Sequence, residues 1–273
     1  MRPARLMSSD LPPLVLAAHG SRDPRAAAVT RALAGAVGAR RPGQRATVSF
    51  LDHALPRPGA ALAAVERAGH RRAVLVPLLL TAAFHHRVDV PGVLAAARAQ
   101  GLRLQVAVAD PLGPAVAPEA PACGVPREAS AAVPQALLAG LCRRLAEAPG
   151  ADRADALVLA AAGTRDAAAR ATVALVAAAL AERTGLPCEV AYASAAGPRP
   201  AAAVQRLRSA GARGVAVAAY FLAPGRLYDA AGAQAREAGA VAVAGPLGAA
   251  PELADLVLAR ADAAASRPLS RAA

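Results

Sequence analysis

Lysine is missing from this 273-residue chain, so all 31 of its basic side chains are arginine. Tryptophan is missing as well, and aromatic residues make up only 2%. A formal charge of +12 would ordinarily suggest nucleic acid or an acidic ligand. Nucleic-acid surfaces add stacking aromatics to a basic groove, however, and this chain has few to offer. Part of the arginine also follows a bias towards Ala, Arg, Gly and Pro, which favours an anionic small molecule over nucleic acid as the partner. The three cysteines, Cys123, Cys142 and Cys188, have neither C-x-x-C spacing nor an even count. That argues against a disulfide framework or thiolate metal centre and suits a reducing compartment. No apolar run approaches the roughly 18 residues needed to span a bilayer. The early run Leu14 to Ala18 is too short for a signal peptide. A cytoplasmic protein with no membrane partner is expected.

What the chain does have is a 56% apolar composition, ample for a core, and a regular alternation of strand and helix. Leu14 to Ala18 reads as a strand, followed by the turn His19-Gly20-Ser21-Arg22-Asp23-Pro24 and an Ala-rich helix to about Val37. Asp23 or Ser21 suits the cap of that helix, and Pro24 suits its first turn. Further strands are expected at 46–51, 74–80 and 104–109, with helices near 58–68, 88–99 and 134–147. The run Val74 to Leu80 is continuous and branched, as in a strand covered on both faces of a parallel sheet. Residues 115–132 read as an inserted loop.

The pattern then repeats. A-A-H-G-S-R-D at 17–23 returns as A-A-A-G-T-R-D at 160–166, and Pro111-Leu112-Gly113 returns as Pro246-Leu247-Gly248. Two α/β units are expected, residues 10–149 and 150–268. The offset shrinks between these two landmarks, so small deletions are expected within the second unit. All five histidines lie in the first unit, and Ala162 stands where His19 does. One unit carries chemistry and the other supplies a wall.

Open α/β sheets place ligands just outside the carboxyl ends of their strands, which brings His19, Asp52, His53, His85 and His86 towards one cleft. Imidazoles with a carboxylate suit a divalent first-row metal such as Fe(II), Co(II) or Ni(II). A neutral imidazole binds a cation or accepts a proton at pH 7 without a large shift. No H-x-x-x-H or H-E-x-x-H pattern fixes the ligands on one element. His86 reads as a support for His85, His53 as a surface residue at a strand end, Asp89 as a brace of its loop, and His70 as a helix-terminal cation.

A-A-H-G-S-R-D-P at 17–24, F-L-D at 50–52 and V-P-L-L-L-T-A-A-F-H-H-R-V-D-V-P at 76–91 together resemble the sirohydrochlorin chelatases, the class II chelatases of sirohaem and cobalamin synthesis, in their long two-domain form. The resemblance implies two tandem chelatase-like α/β domains, each a small parallel sheet flanked by helices, with a cleft between them. It implies insertion of Fe(II), taken ahead of Co(II), into sirohydrochlorin. His19 and His85 would bind the metal, and Asp52 stands where the family commonly has Glu, as a ligand or proton acceptor. Ser21, Arg22, Arg87, Arg165 and Arg226 are the candidates for the eight substrate carboxylates. The metal is a substrate, so no permanent cofactor is implied, and a monomer or weak homodimer is expected. The rival readings are a non-enzymatic divalent-metal carrier and an inactive tetrapyrrole-binding protein.

Overall fold

The computed structural model describes residues 11–81, 90–114 and 132–267. The first repeat contains strands β1 (Leu14–Ala18), β2 (Ala46–Phe50), β3 (Arg72–Pro77) and β4 (Gln105–Val108), with helices α1 (Pro24–Arg40), α2 (Pro58–Arg67), α3 (Val90–Ala99) and α4 (Gln135–Ala146). The second contains β5 (Ala156–Ala161), β6 (Cys188–Tyr192), β7 (Val215–Tyr220) and β8 (Ala242–Val243), with α5 (Ala167–Thr184), α6 (Pro200–Ser209), α7 (Arg226–Glu237) and α8 (Pro251–Ala265). Each repeat forms a four-stranded parallel sheet, ordered β2-β1-β3-β4 and β6-β5-β7-β8. The architecture is the expected α/β one. Every residue of β1 and β5 is buried, as central parallel strands with helices on both faces must be. Both helices that follow them are capped in the same way. Asp23 accepts from Arg25 N, and Asp166 accepts from Ala168 N and Ala169 N.

The two sheets do not bury their cores separately. One apolar cluster runs from Leu16, Val76 and Leu112 of the first repeat to Leu159, Leu180 and Leu247 of the second. The helices that close the repeats produce this continuity by exchange. Helix α4 packs on α5 and β7, whereas α8 crosses back to pack on α1, β3 and β4. Arg40 and Arg41 at the end of α1 meet Asp255 and Asp262 of α8 at 2.5 and 2.6 Å. These exposed pairs add little energy but mark the register of the exchange.

β3 ends at Pro77, three residues before the expected Leu80. Leu78 N still donates to Ala17 O, but the neighbouring β1 turns away at His19, so the ladder has no further partner. Leu79 O instead takes Leu112 N, and Leu80 O takes the Tyr220 hydroxyl at 2.6 Å. The shortening of the second repeat falls in three places, and the first takes the offset from 143 at Ala18 and Ala161 to 142 at Phe50 and Tyr192. The offset between equivalent residues is 142 at Leu79 and Phe221, 138 at Gly101 and Gly239, and 135 at Ala107 and Ala242. Among the described residues no helix is long and apolar enough to cross a membrane.

Candidate functional site

The site grows from two strand ends. After β1 the chain turns at His19 and Gly20, and after β2 it turns through residues 51–56. Gly20 has φ +93°, and a Cβ there would stand 1.8 Å from Asp52 O. Only glycine allows this contact, which lets Asp52 N donate to His19 O at 2.8 Å. The two turns are thereby locked together. The His53 backbone has φ +60°. Its ring stands edge-on to that of His19, with centroids 6.5 Å apart.

The second repeat keeps this scaffold without its chemistry. Gly163 has φ +99° and approaches Ser194 O, Ser194 N donates to Ala162 O, and Ala195 has φ +61°. Ala162 and Ala195 therefore occupy the places of His19 and His53. Ser194 occupies the place of Asp52.

Both imidazoles line a cavity of about 960 Å³ between the repeats. That lies at the upper end of the roughly 300–1,000 Å³ typical of small-molecule sites. One wall is His19 to Asp23 with Phe50, His53 and Leu78, and the other runs from Phe221 to Asp229. On the far wall Phe221 and Tyr228 stack edge to face at 5.8 Å, and the Tyr228 hydroxyl donates to Ala244 O. Helix α7 opens onto the cavity at Arg226 without a side-chain cap, so its first N–H groups are left to water or an anionic ligand.

The wall carries both signs of charge, but its carboxylates are engaged. Arg25 reaches Asp23 at 2.6 Å and crosses to Asp229 of the other repeat at 2.5 Å. Hydrogen bonding from Arg25 holds the Asp23 carboxyl below its usual range. Arg22 and Arg226, by contrast, have no carboxylate partner among the described residues. Counting Arg25 with the lining residues, three arginines stand against two carboxylates.

Of the residues singled out from sequence, His19, Ser21, Arg22 and Arg226 come together on this cavity. The Ser21 Oγ accepts from Asp23 N at 3.0 Å, which shapes the turn. Asp52 and Arg165 are not among the lining residues. The Asp52 carboxylate faces His53 Nε2 at 3.3 Å and Arg57 at 3.5 Å. It is held below its usual pKa chiefly by the His53 backbone N–H, which outweighs the opposing cost of desolvation, with smaller help from the charge of His53 and from the hydrogen bond and charge of Arg57. His85, His86, Arg87 and Asp89 lie outside the described residues, as does Cys123. Among the described residues no three His, Cys, Asp or Glu side chains are gathered closely enough to hold an ion. His53, which the strand-end rule also brought towards the cleft although it read as a surface residue, lines the cavity beside His19. The repeat puts the loop 223–229 where the double histidine stands in the first unit, but does not single out Tyr228 or Asp229 within it as facing His19.

Comparison with known proteins agrees with this arrangement. The CbiX family profile matches twice, over residues 13–117 and 156–264. No curated protein sequence matches. Among solved structures, SirB from Bacillus subtilis with Fe3+ is 19% identical with a TM-score of 0.74, covering 94% of this chain and 96% of that one. The sirohydrochlorin chelatase SirB from Bacillus subtilis subspecies spizizenii in complex with cobalt is 18% identical with a TM-score of 0.73, covering 96% and 98%. A structure of CbiX, described as the terminal enzyme for biosynthesis of siroheme in denitrifying bacteria, is 21% identical with a TM-score of 0.57, covering 93% and 99%. At these identities the structural likeness speaks for the fold, and the profile for the family. Two sheets of one design, and two profile matches that each span one of them, make this chain a member of the CbiX family that carries the family's domain twice.

Proposed function

We propose that the chain is a sirohydrochlorin chelatase, inserting Fe(II) or Co(II) into the macrocycle with release of two pyrrole protons. The observation that carries this reading is the cavity itself. A single wall presents an imidazole at a strand end, and the space facing it is large, partly apolar and rimmed by arginines without carboxylate partners. A carrier that handled only a metal ion would have no use for that volume. A flat ring bearing eight carboxylates has use for every part of it. Its faces rest on Phe50, Leu78 and Phe221, and its carboxylates meet Arg22, Arg226 and the uncapped start of α7.

In this reading His19 holds the metal substrate on the first-repeat side. His85, which the family resemblance makes the second ligand, lies outside the described residues. The protein's part is to strip water from the ion, to hold it against one face of the ring and to leave positions open for the pyrrole nitrogens. Asp52 acts through its neighbours, because His53 and Arg57 engage its carboxylate. Ser21 fixes the turn that carries His19 and Arg22. Arg87, outside the described residues, and Arg165, which does not line the cavity, are further candidates for substrate carboxylates. The division of labour follows the repeats, with residues 10–149 holding the metal and 150–268 supplying the opposing wall. Iron is placed ahead of cobalt, and the cytoplasm is the proposed compartment. The test is direct: purified protein, sirohydrochlorin and either ion are mixed, and metallation is followed by absorbance against the spontaneous rate. Acceleration is expected, and no acceleration with either ion would overturn the reading.

A further inference from the structure

We infer that His53 is a ligand of the incoming metal ion beside His19, and that Asp52 orients it. The inference rests on the chelatase reading for its purpose, but its geometry stands apart from that reading. The His53 ring faces the same cavity as His19, edge-on at 6.5 Å between centroids. Metal–imidazole bonds of about 2.1 Å put each ring centroid roughly 3.2 Å from the ion, so two rings sharing one ion stand about 5 to 6.4 Å apart. The observed 6.5 Å lies just beyond the widest of these spacings, so the two exposed rings must approach by about 0.1 Å to share an ion on opposite sides of it and by more than 1 Å to share it at a tetrahedral angle.

The other face of His53 supports the same conclusion. Its Nε2 lies 3.3 Å from Asp52 Oδ2, while its backbone N donates to Asp52 Oδ1 at 2.8 Å. The ring nitrogen is within ion-pair distance of the carboxylate rather than hydrogen-bonded to it, and a carboxylate beside one ring nitrogen, with the other left for a metal, is a common support of a ligating histidine. Folding does not require the imidazole, since the second repeat builds the same turn, with the same positive φ, around Ala195. Nor does burial demand it, because His53 is exposed. The imidazole and its carboxylate occur together only in the repeat that also has His19. A pair of imidazoles with open positions also suits an ion that must be handed on.

The test uses the full chain and Co(II) alone, with affinity read from its d–d absorption and imidazole number from X-ray absorption. His53→Ala is expected to weaken Co(II) binding at least tenfold and to remove one imidazole from the ion's shell. Asp52→Asn is expected to weaken binding about tenfold without changing that number. Ala195 indicates that alanine is tolerated in this turn. His53→Asn, suited to positive φ, provides a second variant should the first misfold. Affinity within twofold of wild type and an unchanged imidazole number in His53→Ala would overturn the inference, as would absence of Co(II) binding by the wild type. A wild type that binds Co(II) through His53 yet accelerates no insertion would overturn the chelatase reading and leave this inference standing.

Discussion

The hydroxyl of Tyr220 is a point at which stability can be read against a single buried bond between the repeats. Tyr220 ends β7, is 3% exposed, and donates at 2.6 Å to Leu80 O, where the chain leaves β3. The surroundings are closed, for a Cβ on Gly113 would stand 1.9 Å from the same oxygen. Tyr220→Phe keeps the ring's packing but takes the donor from the carbonyl of half-buried Leu80. That should cost about 1–3 kcal/mol. For a chain of this size it corresponds to a fall in Tm of roughly 2–4 °C per kcal/mol. Urea and thermal unfolding of the variant would measure it. Tyr228→Phe is the control, because that hydroxyl reaches Ala244 O at 3.1 Å from a half-buried position where water can replace it. A loss below about 0.5 kcal/mol for Tyr220→Phe, or losses equal in the two variants, would refute the assignment of a buried inter-repeat bond.

Other expectations follow from the same geometry. Gly20→Ala should cost about 2–4 kcal/mol and weaken Co(II) binding by parting the His19 and Asp52 turns, since its Cβ would meet Asp52 O at 1.8 Å. Gly101→Ala, at φ +95° with no atom within 4 Å, should cost less in denaturant titrations and leave Co(II) affinity unchanged. Arg22→Ala and Arg226→Ala should each raise KM for the macrocycle by about tenfold with little change in kcat, as expected for exposed charge-assisted contacts. Burial pushes the Cys188 thiol up to about 12 and raises the Tyr220 phenol as well, so both groups favour the folded state while neutral. Their contribution is complete below the unfolded values of about 8.5 and 10 and is lost as pH climbs towards 12. Urea midpoints should accordingly fall between pH 8 and pH 11, and the fall should be smaller in a Cys188→Ser, Tyr220→Phe double variant.

Much of the fold was legible because its signals are local. The continuous apolar runs at β1 and β3 read as central parallel strands, and the paired turns H-G-S-R-D and G-T-R-D announce the same cap before α1 and α5. Helix exchange was not legible, because the apolar faces of α4 and α8 say that they are buried but not against which sheet. The end of β3 was missed for a related reason. Leu78 to Leu80 are apolar enough for a strand, yet the partner that would continue the ladder turns away at His19. At the site, His19, Ser21, Arg22 and Arg226 were legible from the repeat and the strand-end rule. The same rule brought His53 towards the cleft, but its part there was not legible, since its position suited a surface residue equally well until the positive φ and the ring of His19 were seen together. The Arg25 contact with Asp229 spans 204 positions of sequence and has no local signature at all.

The account turns on His19 being the point where metal meets macrocycle, and the insertion rate of His19→Ala tests this most directly. Wild-type protein should metallate sirohydrochlorin well above the spontaneous rate with Fe(II) or Co(II), and His19→Ala should fall back to within a few-fold of that background while retaining its unfolding midpoint. A His19→Ala chain that inserts metal as fast as the wild type would contradict the account.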